Sequence, residues 1–468
     1  DCSSRGLGDV YKRQVIYKLT NFTQAFVADE SSLQEAKTCF FDSLACAFLA
    51  LEHEKVQNFC SLAYIKDSSG SVGVIGTDTK TNVVDATFLN GALIRWLDFN
   101  DTWLAKEWGH PSDNLAAILA LTDYLKTERD IRFSLRDILN FMIIAHEIQG
   151  ALAIENSFNK EGLDHVVLVK IASAAVASKM LGHDHEQMSA VISNAFVDGQ
   201  SLRTYRHFPN TGARKSWAAG DAGARGVKLA FISEVSDEHY PSVISAETWG
   251  FNDVLMGDNP VKLERELNSY VMDNILYKVN FPAEFHAQTA AEAAIKLHPQ
   301  IAFDDIAHIN IHTQEPGIRI ISKQGPLTNY ADRDHCIEYI VAWCLLNGNL
   351  DANSYTDEAA SDSRIDSLRE ITSTTENTEY TNRYYNLDER AIPNKVTVTL
   401  KNGDVMEEEV IYPLGHRERR EESKPYLKQK FNNSLDNTGL DQTFLSDAYN
   451  SLDLDKVEIY DILKKIYK

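Results

Sequence analysis

The sequence predicts a predominantly helical α+β protein: an all-helical domain from both chain ends, with a smaller α+β lid domain inserted into it. Three observations carry this. Apolar residues recur at three and four along most of the first ~270 residues, the spacing that lays one face of a helix on a core. Near residue 280 the texture changes to strict alternation, the period of a half-buried strand. After Gly415 the chain is charged and then helical again. The expected boundaries are 15–276 and 414–468 for the helical domain and 277–413 for the lid.

Residues 1–14 (DCSSRGLGDVYKRQ) have neither helical period nor an apolar signal region and are expected to be a non-native leader. TCFFDSLACAFLALE (38–52) has the apolar density of a buried helix, and 53–84 mixes short β-type segments with a turn-rich DSSGSVGVIG. ATFLNGALIRWL (86–97) is helical and leads into WLDFNDTWLAKEWGHPSDN (96–114), which fits neither helix nor strand. Ser112 or Asp113 is placed to cap the next helix, and Ser134 with Asp137 makes a capping box for the one after it. Helices follow at 165–181 and 186–197. In the lid, HAQTAAEAAIKLH reads as a helix and AHINIHTQ (307–314) as a strand. VTVTLKNGDVMEEEVIY (396–412) reads as a hairpin turning at Asn402-Gly403 in a two-residue type I′ turn. The acidic stretch 351–390 reads as solvated surface with one short helix near SRIDSLREI.

Hydrophobic residues make up 44 % of the 468, enough for a sizeable core, and no uninterrupted apolar run reaches the ~18 residues of a bilayer span. A formal net charge of −22 argues against nucleic acid, whose phosphates would be repelled over most of the surface, and suits a cytoplasmic protein. The six cysteines show no metal-ligand spacing and are expected to be reduced thiols. Walker, GxGxxG, GxSxG and HExxH signatures are absent.

Two stretches carry chemistry. SLRTYRHFPNTGARKSWAAGDAGARG (201–226) gathers Arg203, Arg206, Arg214, Lys215 and Arg225 against one acid, Asp221, a local positive field suited to carboxylates or phosphates. The bland alternative is a basic face paired with acidic neighbours. In 96–114, Asp98, Asp101 and His110 suggest acid–base use ahead of a metal site, because Asp-x2-Asp-x8-His is a weak ligand pattern. His165 and His286 also sit among acids; taken singly, each histidine reads first as a structural hydrogen-bonding group.

Several long motifs in order resemble the MmgE/PrpD family: IRWLDFNDTWLAKEWGHPSDN, AHEIQGALAIENSFNKEGLDHVVLVKIAS, VDGQSLRTYRHFPNTGARKSWAAGDA, FPAEFHAQTAAEAA and QGPLTNYADRDHCIEYIV. The resemblance runs from about residue 30 to the end and includes DSRIDSLRE and YPLGHRERR. It implies a helical domain with an inserted lid in a homodimer, without cofactor or metal. The implied reaction is dehydration of 2-methylcitrate to 2-methyl-cis-aconitate, with no iron–sulfur cluster. It also implies Asp98, His110, His165 and Lys215 as catalytic residues and Thr102, His286 and Tyr339 as contacts to a tricarboxylate, while Arg203 and Arg206, beside Lys215 in sequence, are expected from their charge to bind its carboxylates. The nearest alternative is decarboxylation of cis-aconitate, but the segment between Thr102 and His110 has the length of the dehydrating form. Tyr330 departs from the proline usual in dehydrating members. Outside the family, the rival readings are a metal-dependent hydrolase or lyase using Asp98, Asp101 and His110, and a non-catalytic protein whose basic loop is an interface.

Overall fold

The computed structural model describes residues 14–66, 69–207, 209–236 and 238–468. The expected leader lies outside these, apart from Gln14, which opens the first helix. The longer N-terminal helices are α1 (Gln14–Ala25), α2 (Glu30–Ala50), α3 (Val83–Arg95), α4 (Leu115–Arg129), α5 (Leu135–Glu155), α6 (Val166–Met180), α7 (His185–Val197) and α8 (Arg214–Ile232). Short antiparallel pairs interrupt them: β1 (Val72–Gly73) with β2 (Lys80–Thr81), and β3 (Trp103–Leu104) with β4 (Trp108–Gly109).

Local chemistry explains most boundaries. The Ser134–Asp137 capping box is present at α5, satisfying two orphan donors at once. At α4 the expected cap fails. Ser112 and Asp113 lie in a 3₁₀ turn, Pro111–Asn114, and their side chains instead accept from the Asn100 amide at 2.9 and 3.1 Å. Helix α5 is long and apolar enough to cross a membrane, yet it is almost wholly buried among its neighbours, as expected of a core helix. The small residues of AAGDAGA have a packing reason: α8 crosses α3 so closely that a Cβ on Gly91 would lie 2.5 Å from the Gly220 Cα.

The lid holds α9 (Gln288–Leu297), β5 (Ile306–Thr313), α10 (Glu315–Ile321), α11 (Ile337–Asn347), α12 (Ser363–Glu370), β6 (Thr372–Glu376), α13 (Thr378–Tyr385), β7 (Asn394–Leu400) and β8 (Val405–Val410). Its sheet runs β6-β5-β7-β8, with β5 and β6 parallel and the other pairs antiparallel. Two expectations are corrected here. The acidic stretch contributes an edge strand, TSTTE, and a second helix. The hairpin turns through three residues, since Leu400 N–H donates to the Asp404 carbonyl at 2.8 Å and, of Lys401–Gly403, only Gly403 has positive φ (+92°). That is the three-residue loop with glycine in the left-handed position.

One hydrophobic core draws on residues 16–279 and 427–466, and a second on 283–410. The C-terminal helices α14 (Arg420–Ser434), α15 (Gln442–Asn450) and α16 (Ile459–Ile466) thus pack on the first core. We therefore take the helical and lid units as two domains divided near 277 and 413. The two crossovers lie side by side: Tyr277 N–H donates to the Gly415 carbonyl at 3.2 Å, and a Cβ on Gly415 would fall 1.8 Å from the Tyr277 carbonyl oxygen. Leu276 in turn pairs with Thr102, N–H to carbonyl in both directions at 2.7 and 3.0 Å. The loop of interest is therefore stitched to the domain junction.

Candidate active site between the two domains

After α3 the chain turns sharply, and Asp98 adopts a left-handed conformation with φ of +51°. Aspartate tolerates that region better than most residues, yet a buried one there is worth explaining. The turn aims its carboxylate at two cations. Arg95 Nη1 donates to Oδ1 at 2.6 Å, and Lys278, just past the crossover, donates to the Asp98 carbonyl at 2.6 Å and to Oδ1. Burial pushes this carboxyl up, but Arg95 and Lys278 outweigh it and hold it well below the usual range.

The β3–β4 hairpin then delivers His110. Its Nδ1 lies 2.6 Å from the Asp101 carbonyl, which only accepts, so Nδ1 carries the proton and Nε2 keeps a free lone pair. Nε2 sits 3.9 Å from Asp98 Oδ1. Asp101 itself faces away from the cavity. Its carboxylate accepts from His146 Nε2 at 2.9 Å and from Ser112 N–H at 3.1 and 3.2 Å, with the Cys39 thiol 3.6 Å away. Asp98, Asp101 and His110 therefore form no common ligand set, which removes the metal reading based on them. Asp98, Asp334 and His335 do converge, but Arg95, Lys278 and Lys215 already neutralise both carboxylates.

His165 stands at the start of α6, its ring centroid 5.7 Å from that of His110. Its Nδ1 is 3.4 Å from Asp164 Oδ1, and its buried Nε2 has no partner. Asp164 is gripped by Arg206 and lies 3.6 Å from Arg203 Nη1. Burial holds both His110 and His165 well below the usual imidazole range, with Arg95 and Lys278 adding to the effect at the first and Arg206 and Arg203 at the second. Both rings are thus held as neutral bases.

The cavity is narrow and lies between the domains. Of the residues singled out from the sequence, Asp98, Thr102, His110, His165, Arg203 and Arg206 line it. Three others do not. The Lys215 ammonium is one layer back, donating to Asp334 Oδ1 and Oδ2 at 2.7 and 2.6 Å, 3.1 Å from His335 Nδ1. His286 is also behind the wall: its Nδ1–H donates to Glu284 at 2.8 Å and its Nε2 accepts from the Tyr384 hydroxyl at 3.2 Å. Tyr339 lies in the lid core, its hydroxyl donating to the Ser354 carbonyl at 2.7 Å, because α11 turns that face inward against Tyr355. It is corrected from a site residue to a packing residue.

Sequence reading missed Arg95, Lys278, Glu284 and His335, all of which line the cavity. His335 Nδ1–H donates to Asp334 at 2.7 Å while Nε2 faces Asp98 Oδ2 at 3.5 Å. The available signal was the pairing of Asp334 with His335 inside an already quoted motif, DRDHC.

Fold and cavity together bring imidazoles, carboxylates and cations into one cavity at the seam of the helical and lid units, an arrangement capable of acid–base chemistry. Two family models match the chain in succession, the MmgE/PrpD N-terminal domain over residues 18–264 and the MmgE/PrpD C-terminal domain over 281–444. The chain belongs to the MmgE/PrpD family. It is 51 % identical over 431 residues to "2-methylcitrate dehydratase, mitochondrial" of Yarrowia lipolytica, covering 89 % of this chain and 83 % of that one. It is 47 % identical to the 2-methylcitrate dehydratases of Cupriavidus necator, over 90 % of both chains, and of Escherichia coli, over 87 % of both.

Proposed function

We propose that the chain dehydrates 2-methylcitrate to 2-methyl-cis-aconitate, the activity its relatives are named for. The observation that carries this reading is the His110 tautomer: an imidazole with a free Nε2 lone pair, facing a cavity whose charged lining is rich in guanidinium and ammonium groups. Dehydration asks for such a site. A proton must leave a carbon next to a carboxylate, and the charge that builds on that carboxylate needs preorganised cations, each worth on the order of 10²–10³ in rate.

His110 Nε2 takes the proton from the carbon that bears the methyl group. That C–H electron pair becomes the new double bond, and the hydroxyl leaves from the neighbouring carbon with a proton from His165, as water. A protonated His165 is supported by Asp164, 3.4 Å from its Nδ1. Arg95, Arg203, Arg206 and Lys278 receive the carboxylates, and Asp98 fixes two of those cations in place. Thr102 lies 3.4 Å from His110 Nδ1 and steadies the ring. Lys215 acts through Asp334 on His335 rather than on substrate. We also take the protein to be a cytoplasmic homodimer; the Yarrowia relative is named as mitochondrial, so cell fractionation and sedimentation are the checks.

Incubation of the purified protein with 2-methylcitrate tests the reading by the ultraviolet absorbance of the conjugated acid, with CO₂ followed in parallel. Absorbance should rise without CO₂ and persist with a chelator. In D₂O the His165→Asn variant should still exchange the substrate C–H while eliminating slowly, whereas His110→Asn should lose both. Release of CO₂ from cis-aconitate would replace the dehydratase with a decarboxylase, and loss of activity on chelation would restore a metal.

A further inference from the structure

Not all of the cavity wall is polar. Leu104 and Trp108 from the helical domain face Phe285 and Ile320 from the lid, and all four line the cavity. They belong to an apolar cluster separate from both main cores. This wall is held rigidly. Trp108 Nε1–H donates to the Tyr384 hydroxyl at 3.0 Å, and the Arg203 and Arg319 guanidinium carbons lie 5.2 and 4.9 Å from its ring centroid. The Arg390 guanidinium holds the Leu104 carbonyl.

Three carboxylates and a hydroxyl want donors and cations, and Arg95, Arg203, Arg206 and Lys278 in the same lining supply the cations. We propose that the apolar wall is a subsite for the methyl group of the substrate and sets a preference for 2-methylcitrate over citrate. The inference rests on the dehydratase reading and deepens it. Its geometric support is local: the methyl sits on the carbon whose proton leaves, so its pocket must adjoin the base. Trp108 is two residues before His110, and Leu104 pairs with it across the β3–β4 hairpin. A single methyl in a fitted apolar pocket discriminates by roughly 10–200-fold. With citrate the same space is left unfilled, and rigid walls cannot close on it.

The test is the ratio of kcat/KM for 2-methylcitrate to that for citrate in the wild type, Leu104→Ala and Ile320→Ala. Half-buried Ile320 tolerates truncation even if Leu104→Ala does not fold. The wild-type ratio should lie in the 10–200-fold range and fall about tenfold or more in Ile320→Ala, with Ile320→Val retaining most of it. An unchanged ratio in a folded Ile320→Ala variant, with both substrates slowed equally, overturns the subsite. Absence of turnover on 2-methylcitrate by the wild type overturns the dehydratase reading itself, and the subsite with it.

Discussion

Binding of a tricarboxylate trianion should draw protons from solvent. Three histidines of the cavity are held towards the neutral form, first by burial and then by cations: Arg95 and Lys278 at His110, Arg206 and Arg203 at His165, Lys215 at His335. Four cations, Arg95, Arg203, Arg206 and Lys278, face three carboxylates, Asp98, Asp164 and Glu284. Adding three negative charges turns a net single positive charge into a double negative one. At an effective dielectric of about 20, a carboxylate roughly 4 Å from an imidazole favours its protonation by about 4 kcal/mol, close to three pK units. That pull opposes the burial and the cations that hold the rings neutral, so it favours a general acid when substrate is present. Tricarballylate has three carboxylates and no hydroxyl to lose, so it binds without reacting. Calorimetric titration in two buffers of different ionisation enthalpy counts the protons taken up. Net uptake, reduced in His165→Asn, is expected; zero uptake or net release would refute the reasoning.

Two more predictions concern buried charge. The Glu107 carboxyl is pushed up to about 7 by burial, against the pull of Arg203 and the Asn159 donors, and its Oε1 has no partner. A raised carboxyl contributes stability that is complete below its ordinary value of 4.5 and is lost as pH rises towards 7. Glu107→Gln keeps the Asn159 bonds, so its stability relative to wild type should improve by up to about 3 kcal/mol between pH 4 and pH 8 in denaturant unfolding; a pH-independent gap would contradict this. Lys215→Ala strands Asp334 and should cost about 3–5 kcal/mol, while Lys215→Ala/Asp334→Ala should recover much of it. Equal losses in the two variants would show that the pair carries no such coupling.

Much of the fold was legible because periodicity reports directly on which face is buried. The α5 capping box and the β7–β8 hairpin stood out for local reasons. Strand β6 did not: TSTTE alternates no apolar residues and pairs in parallel at an edge, so nothing in its own pattern marks it. The site was legible where chemistry clusters in sequence, at 96–114 and 201–226. Even there the basic cluster divides on folding. Arg203 and Arg206 reach the cavity, Lys215 binds Asp334, Arg225 binds Asp198, and Arg214 stacks on Trp217. Arg95 and Lys278 escaped notice because each is a lone cation in an apolar context, and only the fold brings them together on Asp98. Tyr339 was misplaced because α11 is apolar on nearly every face, which leaves its rotation unreadable from sequence.

The paired crossovers at Tyr277 and Gly415 tie the electrostatics of the site to its topology. Lys278 follows Tyr277 directly, so the peptide that carries the chain into the lid also carries half of the counter-charge on Asp98. A rotation about this two-stranded strap would move Glu284, Phe285 and His335 as one body and leave Asp98, His110 and His165 with the other. The junction is therefore also part of the wiring: any displacement of the lid about it would present the acid–base residues with a different field.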